Sequence, residues 1–102
     1  MLVVGVKRIL VRPAAATDIE NAFLWYQSQR HGLGDEFREA LRFIFNQISE
    51  NPRRYQIAHR DMRRVLLPRF PYGVYFREFP EVIVVVACMH GRRDPERWQN
   101  RQ

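Results

Sequence analysis

The hydrophobic rhythm of the chain changes near its midpoint. From Ile19 to Ile48 apolar residues recur at helical spacing, and from Met62 onward they alternate or run together as in strands. Ile19, Ala22, Phe23 and Tyr26 fall at i, i+3, i+4 and i+7, which predicts a helix from about Ala15 or Asp18 to Arg30. Thr17 or Asp18 is the candidate cap, because a short oxygen-bearing side chain can accept from the orphan N–H groups of a first turn. Gly32, Leu33 and Gly34 interrupt this helix. Gly32 suits a left-handed closing residue because it has no Cβ. Asp35 and Glu36 then open a second helix at the end where the macrodipole favours negative charge. Its apolar stripe is Phe37, Ala40, Leu41, Ile44, Phe45 and Ile48. Asn51 and Pro52 close it, since the residue before proline avoids the α region.

Val6 to Arg12 reads as a short strand ended by Pro13, and Met62 to Leu67, Tyr72 to Glu78 and Val82 to Met89 read as three more. Val82 to Cys88 is almost wholly apolar, which predicts a central strand covered on both faces. Arg53 to Asp61 is polar and reads as a loop with a short extended piece. Asp94, Pro95 and Glu96 have the chemistry of a helix start, leading to about two turns that carry Arg97, Trp98 and Arg101. The order β-α-α-β-β-β-α predicts an α+β fold of two layers, a helical hairpin packed on a mainly antiparallel sheet. No linker or repeat divides the chain, so residues 1–102 form a single domain.

With 102 residues, 46% of them apolar, the chain can bury one core and does not have the composition of a disordered segment. Cys88 is the only cysteine, so no intramolecular disulfide can form. The longest apolar run is too short to cross a bilayer. Lys7 and Arg8 follow the apolar start instead of preceding it, the wrong order for a secretory signal. The charge changes the picture more. Arginine supplies 16 of the 17 basic residues, and the net +6 lies entirely in residues 51–102. Such a field favours a polyanion or an acidic protein partner. Three scattered histidines and one cysteine give no metal-ligand spacing. Gly32 to Gly34 follows a helix and lacks a lysine, so it is not a phosphate loop. No metal or cofactor is expected.

Several segments in order resemble one family. They are Asp18, Ile19, Glu20, Ala22, Trp25 and Tyr26; then Gly32, Gly34 and Phe37; then Asn51 and Pro52; then Arg63 to Tyr75; and finally His90 to Pro95 with Trp98. Together they resemble the RelE/ParE superfamily of type II toxin–antitoxin toxins, also called plasmid stabilisation proteins, and the stretch Arg69 to Tyr75 looks nearer the ParE-like branch. The resemblance implies a cytoplasmic toxin in a hetero-oligomer with a cognate antitoxin, whose C-terminal segment is often acidic. A ParE-like member would inhibit DNA gyrase. A RelE-like member would cut mRNA in the ribosome, and a degenerate one would only bind its antitoxin.

The nuclease alternative needs a proton-transfer group and cations for the phosphorane. The residues available to a metal-independent endoribonuclease are His90, Arg69, Arg64 and Tyr72. RelE itself uses lysines in its basic cluster, and this chain has none after Lys7. Candidates for holding the target are Arg63, Arg64, Arg69, Arg92 and Arg93. Arg63 and Arg64 are adjacent on a strand and must point to opposite faces, as must Tyr72 and Tyr75. His31 and His59 fall in solvated turns, and Asp94 reads as a helix cap. Trp25 and Phe43 lie off the apolar stripes of their helices and are the candidate antitoxin contacts. The expectation is an arginine-bearing sheet, backed by paired helices, that an acidic companion covers.

Overall fold

A computed structural model describes residues 6–91 and 96–101. Strand β1 (Arg8–Val11) leads into helices α1 (Pro13–Gln29) and α2 (Leu33–Glu50). A 3₁₀ turn at Pro52–Arg54 follows, then β2 (Ile57–His59), β3 (Met62–Leu66), β4 (Tyr72–Glu78), β5 (Val82–His90) and the single-turn helix α3 (Glu96–Gln99). The five strands lie in the order β1-β5-β4-β3-β2. β1 runs parallel to β5, and the other pairs are antiparallel. The α+β hairpin-on-sheet architecture is therefore present, with one strand more than expected. The extended piece within 53–61 is β2, which pairs with β3 at the sheet edge.

Pro13 does not merely end β1. It occupies the first turn of α1 after an extended Arg12, where its missing N–H costs nothing. Neither Thr17 nor Asp18 caps this helix, because both lie inside it. Gly32 adopts φ +88°, the left-handed conformation expected of it. The hairpin closes tightly at Gly34, where a Cβ would come within 2.7 Å of the Phe23 ring. The Gly34 amide donates to Gln27 Oε1 at 2.9 Å. Arg38 of α2 lies 3.6 Å over the same Phe23 ring and pairs with Glu20.

β5 is the structural centre. It is flanked by β1 and β4, and its residues from Ile83 to Met89 are buried, as the apolar run predicted. A bulge interrupts its alternation. Tyr75 opposes Ala87, but Phe76 opposes Val85, which leaves Val86 as the extra residue. Val86 and Ala87 consequently face the same side. The helix-facing core unites Ala22, Tyr26, Phe37, Leu41, Ile44 and Ile48 with Val74, Phe76, Ile83, Val85 and Cys88. The far face gathers Met62, Tyr75, Val84, Val86, Ala87 and Met89 around Trp98 of α3. Among the described residues no helix is long and apolar enough to cross a membrane.

Candidate functional site

β1 ends at Val11, so the upper part of β5 has no strand on its β1 side. α1 occupies that side instead, and Asp18 completes the edge. Its carboxylate accepts from the Cys88 amide at 3.0 Å and from Arg101 at 2.5 and 3.2 Å. Above Asp18 the helix and strand diverge into a groove of about 770 Å³. One wall is α1, with Asn21, Ala22, Trp25 and Tyr26; the other is Cys88, Met89 and His90, with Pro71, Tyr72 and Arg97 at the ends. The floor is aromatic. Tyr72 stands 5.6 Å from His90, 5.9 Å from Tyr26 and 5.4 Å from Phe37, ring centre to ring centre. Burial pushes the Tyr26 phenol upward, and Tyr72 and Cys88 add to this. Cys88, buried beside the Asp18 carboxylate, is pushed up to about 12 and stays a thiol.

The structure brings together only part of the residue set singled out from sequence. His90 and Tyr72 share the groove. Arg69 does not join them. It sits in the β3–β4 turn at φ +67°, with its guanidinium 3.4 Å from Glu36 of α2. Arg30 and Arg69 together hold the Glu36 carboxyl below its ordinary range, Arg30 the more strongly. Arg63 and Arg64 take opposite faces, as strand geometry requires. Arg63 donates to the Tyr55 carbonyl at 2.6 Å. Arg64 lies in a smaller hollow on the far face with Gln56, Ala58, Trp98 and Gln99. Arg92, Arg93 and the expected cap Asp94 lie outside the described residues.

The expected single arginine-bearing face is not what forms. Ion pairs Arg38–Glu20, Arg42–Glu39, Arg53–Glu78, Arg77–Asp61 and Arg101–Asp18 spread guanidinium groups over α2, both sheet faces and the C-terminal turn. The reason is local: carboxylates are interspersed in three dimensions where the sequence separates them. Trp25 and Phe43 are both exposed, at 56% and 54%. They do not form one patch. Phe23 marks the side of α1 that meets α2, and Trp25, two residues on at 100° per residue, points the other way into the groove. Phe43 lies on the outer side of α2. Sequence reasoning missed Asn21 and Met89 as groove residues and Asp18 as the junction. Asp18 looked like a cap because both roles use a short carboxylate near a helix start.

Among the described residues no cluster of His, Cys, Asp or Glu could hold a metal ion. No curated protein sequence matches this chain. A solved chain from the chromosomal ParDE TA system of P. aeruginosa has the same fold, with a TM-score of 0.72. It is 12% identical, and the match covers 84% of this chain and 97% of that one. The family model described as the ParE toxin of the type II toxin–antitoxin system parDE matches residues 9–95. That span runs from β1 through every strand of the sheet and both hairpin helices, and the chain belongs to the ParE toxin family.

Proposed function

We propose that this chain is a toxin that acts by binding, with DNA gyrase as its target, and that a cognate antitoxin neutralises it in a hetero-oligomer in the cytoplasm. The observation that carries this reading is the α1–β5 groove. It offers apolar and aromatic surface with Trp25 on its rim, and Arg63, Arg64 and Arg69 lie outside its lining, which leaves Arg97 as the one arginine lining it with His90 among the described residues. An arrangement of that kind suits recognition better than phosphate-bond cleavage, which needs cations and proton-transfer groups converging on one phosphate. The antitoxin segment fitting a protein of net +6 is acidic and amphipathic, with apolar side chains seated beside Trp25.

Purified chain added to gyrase and relaxed plasmid should block supercoiling, and prior mixing with antitoxin should restore it. Undisturbed supercoiling, with cleavage of mRNA on translating ribosomes, would transfer the assignment to the endoribonuclease reading. The proximity of His90 and Tyr72 in the groove favours that second reading. A protein inert in both assays that still binds antitoxin would be a binding-only member.

A further inference from the structure

We propose that residues 96–101 form a latch, bolted by Arg101 to Asp18, that opens as a unit apart from the rest of the fold. Opening uncovers the far face of the sheet and removes Arg97 from the end of the groove.

The two faces of the sheet are covered very unequally. Two long helices bury one. On the other, the described cover is the four-residue helix α3. A single helical turn is far below the length at which a helix is stable in water, so α3 exists only while something holds it. Trp98 and Arg101 contribute to that hold. Trp98 stacks on Tyr75, with ring centres 4.3 Å apart and planes at 20°, and is buried to 5% exposure. Arg101 spans to Asp18 with both terminal nitrogens, and its Nη1 also donates to the Val86 carbonyl at 3.1 Å.

The bulge explains why the bolt is located there. Val86 is the extra residue of β5, and it lies just past the end of β1, so its carbonyl has no strand partner on that side. The adjacent Cys88 amide is in the same position and donates to Asp18. Arg101 and Asp18 thus close the part of the β5 edge that β1 leaves uncovered. Removal of Arg101 leaves Asp18, only 15% exposed, bonded to the strand but without its counter-charge. It also frees the segment from one of its anchors. The β4–β5 ladder does not depend on either anchor, so the latch can open while the sheet persists.

The experiment uses the full chain carrying Trp25→Phe, so that Trp98 is the only indole. Native-state hydrogen exchange of this protein should show the amides of residues 97–101 opening with a free energy well below that of the β4–β5 ladder. Arg101→Gln should raise acrylamide quenching of Trp98 and speed exchange in residues 97–101 about tenfold or more. Exchange in the β4–β5 ladder should change much less. Asp18→Asn should act in the same direction, and the double variant should add little to either single one. Should Asp18→Asn unfold the protein, Arg101→Gln alone still decides the matter. The inference is overturned if the 97–101 amides exchange together with the ladder in the parent protein. It is equally overturned if Trp98 stays as protected in a folded Arg101→Gln variant as in the parent. Neither outcome bears on gyrase, so the latch and the proposed function fail separately.

Discussion

Tyr72 and His90 face each other across the β4–β5 register, with ring centres 5.6 Å apart and planes at 70°. The edge-to-face contact continues through Tyr72 to Tyr26 and Phe37 and so ties the last residue of β5 to the helix-facing core. Such a pair contributes about 0.5–1.5 kcal/mol. In the binding reading proposed above, the contribution of His90 is this packing contact. His90→Ala should lower stability by about 1 kcal/mol and leave growth arrest and gyrase inhibition in place. Denaturation together with the supercoiling assay checks this, and a folded but harmless variant would favour the endoribonuclease.

Trp25 and Phe43 are equally exposed but point to different surfaces, which turns one expectation into two. Trp25→Ala should weaken antitoxin binding about 10- to 100-fold, the loss typical of a buried aromatic anchor at an interface. Phe43→Ala should have a smaller effect. Both variants should unfold within about 0.5 kcal/mol of the parent, because neither side chain is in the core. Calorimetric titration of the pair at two salt concentrations would also test the electrostatic component, with affinity expected to fall as salt rises.

Glu78 receives Lys7 Nζ at 2.6 Å and Arg53 Nε at 3.1 Å, and Lys7 also donates to the Phe79 carbonyl. The hydrogen bond from Lys7 is the main cause that holds the Glu78 carboxyl below its ordinary value of 4.5, with Arg53 assisting. A carboxyl depressed on folding stabilises the protein fully above its unfolded value and ceases to do so as pH falls through the lower folded one. Urea unfolding at a series of pH values should therefore show stability lost below about pH 4.5. Glu78→Gln should be less stable at pH 7 and show a shallower acid limb.

Cys88 offers a chemical probe of global unfolding. Burial, with the Asp18 carboxylate as a secondary cause, pushes its thiol up to about 12, so at pH 8 it presents neither charge nor access. Alkylation of the native protein should proceed only as fast as the helix-facing core opens, and urea should accelerate it in step with the loss of circular dichroism. Rapid labelling of folded protein would contradict the packing of Cys88 beneath α1.

The helices were legible because their residues face one core. Phe37, Ala40, Leu41, Ile44 and Ile48 are buried as their spacing predicts, and Gly32 takes the left-handed conformation that its missing Cβ allows. The run Val82 to Cys88 announced a central strand, but an unbroken apolar run carries no alternation, so the bulge at Val86 left no trace in it. β2 was hidden for another reason. Ile57, Ala58 and His59 are only three residues on an edge, held by pairing with β3 and not by an apolar pattern of their own. The groove residues Tyr72 and His90 were recognisable from chemistry and position. The Asp18–Arg101 bridge spans 83 positions, and no local pattern encodes a contact at that range.

The parallel pairing of β1 with β5 has a temporal consequence. The strand that fills the slot between β1 and β4 is the last of the described strands to be synthesised, and Arg8 meets Val82 only once the chain has been made through Val82. Contacts of such wide separation form late and pay the loop-closure entropy first. Translation interrupted before Val82 would yield the helical hairpin and the β2–β3–β4 meander without the central strand that joins them to β1. A product cut short before Val82 therefore lacks the strand that joins β1 to β4, and with it one wall of the groove.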